Sequence, residues 1–134
     1  MALFAGTVNV VGYVSAGETY VVYDDAGLPT GGSIEQPLPR PFDVRDPDAY
    51  ALVVVGDSMG KIAPAGSRVI VSPNAEVRSG DIAIVRTKDE KALIKEVTFS
   101  GDKVRLNSFG NHEEILADKE DVVFIHKVVW VRRP

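Results

Sequence analysis

The feature that most constrains this chain is a succession of short apolar, largely β-branched runs, each closed by turn residues, with no stretch of helical period long enough to compete. Tyr50-Ala-Leu-Val-Val-Val55, Arg68-Val-Ile-Val71, Asp81-Ile-Ala-Ile-Val-Arg86, Lys91 to Thr98, Lys103-Val-Arg-Leu106 and Val122 to Val131 read as strands. Turns separate them at Ser72-Pro-Asn, Arg78-Ser-Gly, Lys88-Asp-Glu and Ser100-Gly-Asp. Upstream, Thr7 to Val14 reads as a strand, Ser15-Ala16-Gly17-Glu18 as a turn and Thr19 to Tyr23 as a second strand. Strands at this spacing predict a mostly β domain of antiparallel hairpins curled into a compact, partly open barrel.

A chain of 134 residues makes one domain with room for a real core. Its least regular part is residues 24–48, which holds Gly27, Gly31 and Gly32 and the prolines Pro29, Pro37, Pro39, Pro41 and Pro47. A structureless connection of this length in a small domain is usually functional or mobile. Pro37-Leu-Pro-Arg-Pro41 also fits a polyproline ligand, though prolines in a surface loop are commoner.

The candidate chemistry begins where the Tyr50–Val55 run stops at Gly56-Asp57-Ser58-Met59, which places a serine hydroxyl just past a rigid element. Taken alone, Gly-Asp-Ser is an ordinary turn composition. The second candidate is Lys95, which interrupts the apolar run Ala92-Leu-Ile-Lys-Glu-Val97. On an inner face it is costly unless paired or neutral, and a neutral lysine is a base able to activate serine. A lysine pointing outward in alternation with Ile94 and Glu96 fits the same pattern, and the sequence leaves its face open. Ala-Gly recurs at Ala5-Gly6, Ala16-Gly17, Ala26-Gly27 and Ala65-Gly66, so the dipeptide identifies nothing by itself.

Composition narrows the remaining classes. With no cysteine, disulfides and thiolate metal sites are excluded, and only His112 and His126 offer imidazole, so no metal or cofactor is expected. A net charge of −4 argues against this segment gripping nucleic acid unaided. No apolar run reaches membrane-spanning length and no signal peptide is recognisable, so a cytoplasmic protein without membrane contact is expected.

Taken in order, these segments resemble the self-cleaving domain of the LexA, phage-repressor and UmuD group, the S24 serine peptidases. Val11-Gly-Tyr-Val-Ser-Ala16-Gly17-Glu18 is similar to the family's cleavage segment and Val55-Gly-Asp-Ser58-Met59 to its nucleophile segment. Gly66 follows at the family's interval, Ser79-Gly-Asp-Ile82 resembles its Asn-Gly-Asp turn, and Ile125 to Val131 looks like its last strand. Lys95 follows Ser58 by 37 positions, which matches the family's separation of serine and lysine. The chain departs from the family at Lys61, where a proline is common, and at Gly66-Ser67, where Gly-Asp is common.

The resemblance implies that Ser58 is a nucleophile and Lys95 its general base, that the backbone N–H groups of Asp57 and Ser58 hold the oxyanion, and that the Ala16-Gly17 bond is cut. Residues 1–23 then carry the cleavage segment, 24–48 a mobile tether, and 49–134 the catalytic and dimerisation core. It further implies a homodimer, activation by a RecA filament in the DNA-damage (SOS) response, and DNA contact only through an N-terminal helix-turn-helix domain absent from this chain. A truncated repressor is the preferred reading; a non-cleaving repressor dimerisation domain of the same fold and a UmuD-like translesion polymerase subunit are the alternatives. Val128-Val-Trp-Val131, apolar and at the chain's end, would be a liability as an unpaired edge unless another copy covered it, so a symmetric homodimer with this strand or its neighbours at the interface is expected.

Overall fold

The computed structural model describes residues 4–89, 91–109 and 113–134; His112, Glu90 of the expected Lys88 turn and residues 1–3 of the N-terminal segment lie outside them. The described strands are β1 (Phe4–Val8), β2 (Val10–Ser15), β3 (Glu18–Tyr20), β4 (Leu38–Pro41), β5 (Tyr50–Val54) and β6 (Arg68–Ser72). They continue with β7 (Ile82–Thr87), β8 (Ala92–Ser100), β9 (Lys103–Asn107), β10 (Glu114–Asp118) and β11 (Val122–Arg132), the last preceded by a single 3-10 turn, Lys119–Asp121. Among the described residues no helix is long and apolar enough to cross a membrane.

The expected barrel is present. Seven strands follow one another as β8, β3, β2, β5, β6, β11 and β7, and β7 pairs back onto β8 to close the ring, while β9 and β10 extend from β8 as a flap. The pairs are antiparallel except β2 with β5, which run parallel with Val14 beside Val54. One seam is narrow: β3 meets β8 through the single pair Glu18 and Leu93. The barrel is therefore completed by the segment that follows Ala16-Gly17.

Alternation along the strands explains the core. Val14, Tyr50, Leu52, Val54, Val69, Val71, Ile84, Ala92 and Ile94 point into the barrel, where Met59 and Ala63 join them from the loop after β5. The opposite face of β5 and β6, with Ala51 and Ile70, is covered by the separate β1–β4 ribbon through Val8 and Leu38. The outer face of β7 and β8 packs Ala83, Val85 and Val97 against Val104 and Leu106 of β9.

Several boundaries differ from the sequence reading, each for a local reason. The Thr7–Val14 run divides at Asn9, whose carbonyl accepts the Ala51 N–H, so β1 leaves the barrel and pairs with β4. That partner lies in the proline-rich stretch: Leu38 and Pro41 are buried, which commits Pro37 to Pro41 to the ribbon instead of to an external polyproline reader. An edge strand tolerates proline because one side needs no ladder hydrogen bond.

The rest of residues 24–48 is fastened as well. Ser33 Oγ accepts the Val10 N–H at 3.0 Å, Glu35 pairs with Arg68, and Asp46 accepts hydrogen bonds from Ser72 and Asn74.

The Val128–Val131 edge is not unpaired, which corrects the expectation drawn from its position at the chain's end. Val128, Trp130 and Val131 pair with Val71, Ile70 and Val69 of β6, after β11 has used its first half to pair with β7. At eleven residues the strand serves two neighbours, with a bulge between Val128 and Trp130 where it turns from one to the other. The strand left with one neighbour in the barrel sheet is β10, with Ile115 and Leu116 exposed.

Candidate active site

The parallel β2–β5 pair sets the geometry. Val14 lies beside Val54, and the Val55 N–H donates to the Val14 carbonyl at 2.8 Å, so Ala16 and Ser58 leave the sheet at the same end. Gly56 then turns the chain with φ 74°, a left-handed conformation suited to glycine, and the following Gly60 N–H closes a turn onto the Asp57 carbonyl at 2.9 Å. Met59 is fully buried in the barrel and anchors this turn. The Ser58 Oγ is screened from solvent and finds no hydrogen-bond partner among the described residues. Buried hydroxyls are normally satisfied, so this orphan calls for an explanation, as does the Ser67 Oγ, the other buried hydroxyl without a partner among the described residues.

Ala16 and Gly17 form the two-residue turn of the β2–β3 hairpin, both with positive φ, 52° and 76°, the arrangement that matches the twist of the flanking strands. Ala16 is the one non-glycine residue with positive φ among those described. An alanine held left-handed costs about 1–2 kcal/mol, and strain retained at one position invites a functional explanation. The turn lies on β8: the Ile94 N–H donates to the Gly17 carbonyl at 3.0 Å, and the buried Thr19 hydroxyl donates to the Ala92 carbonyl at 3.2 Å.

Lys95 meets that turn. A Cβ placed on Gly17 would lie 2.9 Å from Lys95 Nζ, so any larger residue there would make the end of the lysine side chain shift. The other glycines of Ala-Gly pairs lie elsewhere: Gly27 beside Phe124, Gly66 beside Pro134, and Gly6 in open space.

The face of Lys95, left open by the sequence, combines both readings. By alternation with Ile94 it points away from the barrel interior, yet that side is roofed by the Gly17 turn and the end of β9, leaving Lys95 half-buried. Burial lowers its pKa from the ordinary lysine value of 10.5, and the carboxylates of Glu113 and Glu18 push it partly back up. A cleft of about 590 Å³ opens beside it, walled by Ala16, Glu18, Leu93, Leu106 and Leu116, and Ser58 does not line it.

Lys95 Nζ hydrogen-bonds the Ser108 hydroxyl at 2.8 Å and makes no such bond to Ser58. Ser108 escaped the sequence reading, although its signal was present. The Ser100-Gly-Asp turn pairs Ser100 with Lys103 and Glu96 with Asn107, and one step further along that register brings Ser108 opposite Lys95. Asp57, adjacent to Ser58, is exposed. Among the described residues no cluster of three or more His, Asp or Glu is placed to hold a metal ion.

The chain is 28% identical over 130 residues to the LexA repressor of Geobacillus kaustophilus (strain HTA426), covering 95% of this chain and 58% of that protein. It is 29% identical over 131 residues to the LexA repressor of Shouchella clausii (strain KSM-K16), covering 96% and 59% respectively. The LexA repressor of Staphylococcus epidermidis (strain RP62A) is 28% identical over 94% of this chain and 59% of its own length. The chain thus spans just under three fifths of the length of these relatives. The model of the peptidase S24-like family matches residues 9–129, nearly the whole of the β2-to-β11 barrel, and the chain belongs to that family.

Proposed function

We propose that this domain is the autoproteolytic and dimerisation part of a LexA-like transcriptional repressor, a serine peptidase that cuts its own Ala16-Gly17 bond. The observation that carries the reading is the strained Ala16-Gly17 turn seated against Lys95, in a chain of the peptidase S24-like family. In this proposal residues 1–23 carry the cleavage segment, 24–48 tether it, and 49–134 supply the core.

The chemistry follows from the residue types. Neutral Lys95 takes the proton of Ser58 Oγ as that oxygen bonds to the Ala16 carbonyl carbon, and the Asp57 and Ser58 N–H groups receive the oxyanion. As the intermediate collapses, Lys95 returns its proton to the Gly17 nitrogen, leaving an ester between Ala16 and Ser58. Water then attacks the ester, giving its proton to Lys95, and the Ser58 oxygen leaves and is reprotonated by it. For Lys95 to begin this sequence it gives up its bond to Ser108 for one to Ser58. Nucleophile and target share one chain, so the controlling variable is how often the turn is docked.

The wider assignments rest on the likeness to LexA repressors. They are a cytoplasmic homodimer, DNA contact through a helix-turn-helix domain outside this chain, and docking promoted by a RecA filament in the SOS response. Incubating the domain at alkaline pH and weighing the products tests the central claim: a new N-terminus at Gly17, at a rate independent of protein concentration, is expected. Intact mass from folded protein overturns it. One observation favours a second reading, a repressor domain of the same fold that only dimerises: Lys95 is spent on Ser108 while the Ser58 hydroxyl stands alone. Intact protein that sediments as a dimer selects that reading.

A further inference from the structure

The docked turn is held to β8 by few bonds, and the chain that follows it is anchored by a buried polar relay that the cleavage chemistry does not use. Beyond β3, Tyr23 bridges to Pro29, and Asp24 closes a tight turn by accepting the Ala26 and Leu28 N–H groups on one carboxylate oxygen. From this excursion the Tyr23 hydroxyl reaches inward to the Tyr50 hydroxyl at 2.9 Å, and that hydroxyl lies 2.9 Å from His126 Nδ1. Tyr50 and His126 are 2% and 5% exposed, on strands β5 and β11 that are both tied to β6. The Tyr23 ring stands edge-on to Phe124 at 4.9 Å, Phe124 stacks on His126 at 3.9 Å, and the Arg86 guanidinium sits 5.7 Å above Tyr23.

An apolar contact would seat this segment equally well against the core, but without fixing its register. A hydroxyl that must meet a buried hydroxyl, itself bonded to a buried imidazole, has one position in which all three groups are satisfied. Tyr23 lies six residues from Gly17 along a short extended run, so that position is passed on to the turn.

We propose that Tyr23, Tyr50 and His126 form a latch that holds the cleavage segment in register on β8, and that they are positioning residues for self-cleavage. The latch rests on the reading of Ala16-Gly17 as the scissile bond, but its own signature is separate from cleavage. Undocking breaks the bond between the Ile94 N–H and the Gly17 carbonyl, so hydrogen exchange at the Ile94 amide reports docking directly.

The experiment compares Tyr23→Phe with its parent in a Ser58→Ala background, where the segment stays uncut. Loss of one buried hydroxyl bond is expected to speed exchange at Ile94 about fivefold, while the Val69 amide in the β5–β6 ladder keeps its rate. Tyr50→Phe, which removes both bonds of the relay, is expected to speed Ile94 further. Unchanged Ile94 exchange in a folded Tyr23→Phe protein overturns the latch, and so does a uniform rise across the β5, β6 and β11 amides, which would make the relay a general core contact. If the unmutated domain does not cleave but Tyr23→Phe frees Ile94 selectively, the peptidase reading fails and the latch stands.

Discussion

Val14 and Val54 lie side by side on the parallel strands β2 and β5, and this pairing directs the Ala16-Gly17 turn and Ser58 to the same end of the barrel. Antiparallel neighbours would have sent the two segments to opposite ends. The long connection through residues 24–48 is what a parallel pair demands, since the chain must travel back before it can run the same way again.

The first prediction concerns Gly17. Its φ of 76° suits glycine, and an added Cβ would lie 2.9 Å from Lys95 Nζ. Gly17→Val is therefore expected to lower self-cleavage by more than about tenfold, since a β-branched residue held left-handed costs about 1–2 kcal/mol before the contact with Lys95 is counted. Thermal unfolding of the rest of the barrel should change little. Cleavage of Gly17→Val at the wild-type rate, followed by mass spectrometry, would show that this turn is not the target.

The second concerns the base. Burial shifts Lys95 below the ordinary lysine value, so its neutral fraction should control the rate through the alkaline range, rising up to about tenfold per pH unit and levelling above its pKa. Ser58→Ala and Lys95→Ala are each expected to abolish the reaction without unfolding the domain. A flat pH–rate profile in folded protein removes Lys95 from the role of titrating base.

Much of this site was legible in the sequence because strands announce themselves by alternation and turns by composition. Tyr50 to Val55 ends where its apolar run ends, and Lys95 is conspicuous because it interrupts another. The parts that were not legible depend on partners far along the chain. Strand β4 carries two prolines, and only its pairing with β1 makes Leu38 a core residue. The edge expected at Val128–Val131 is covered because β11 runs long enough to reach both β7 and β6, and no local pattern reports that length of pairing. Tyr23 and Tyr50 read as ordinary strand aromatics, since a hydroxyl relay is visible only once β5 and β11 are set against each other.

The third prediction concerns Ser108, which accepts the hydrogen bond of Lys95 Nζ at 2.8 Å. A hydroxyl that bonds the charged lysine favours that form, and one that bonds the neutral amine directs its remaining lone pair. Ser108→Ala is thus expected to move the midpoint of the pH–rate profile to lower pH and to lower its plateau about tenfold, the usual scale for a lost orienting contact. A loss of rate with an unmoved midpoint would assign Ser108 to packing. A midpoint moved to higher pH would contradict the hydrogen bond to the ammonium.

The last prediction is acid instability in two separate windows. Burial lowers His126 from its ordinary value of 6.5 to about 4, against a smaller upward pull from Asp46, so the folded protein keeps the imidazole neutral between Tyr50 and Phe124. The unfolded chain takes up that proton as the pH drops below 6.5, so stability should decline from there to about pH 4 and then level for this group. Asp46 acts in a second window. Burial alone would raise its pKa, but hydrogen bonds from Ser72, Asn74 and the Asp48 N–H outweigh it and hold the carboxyl at about 2 against 3.8. Its contribution is complete above 3.8 and is lost as the pH falls through about 2. Each group contributes a slope of at most about 1.4 kcal/mol per pH unit within its window. Urea unfolding across this range should show both declines. His126→Gln, less stable at neutrality, should flatten the upper one, and Asp46→Asn the lower. An upper decline that persists at full slope in His126→Gln would show that another group takes up the proton.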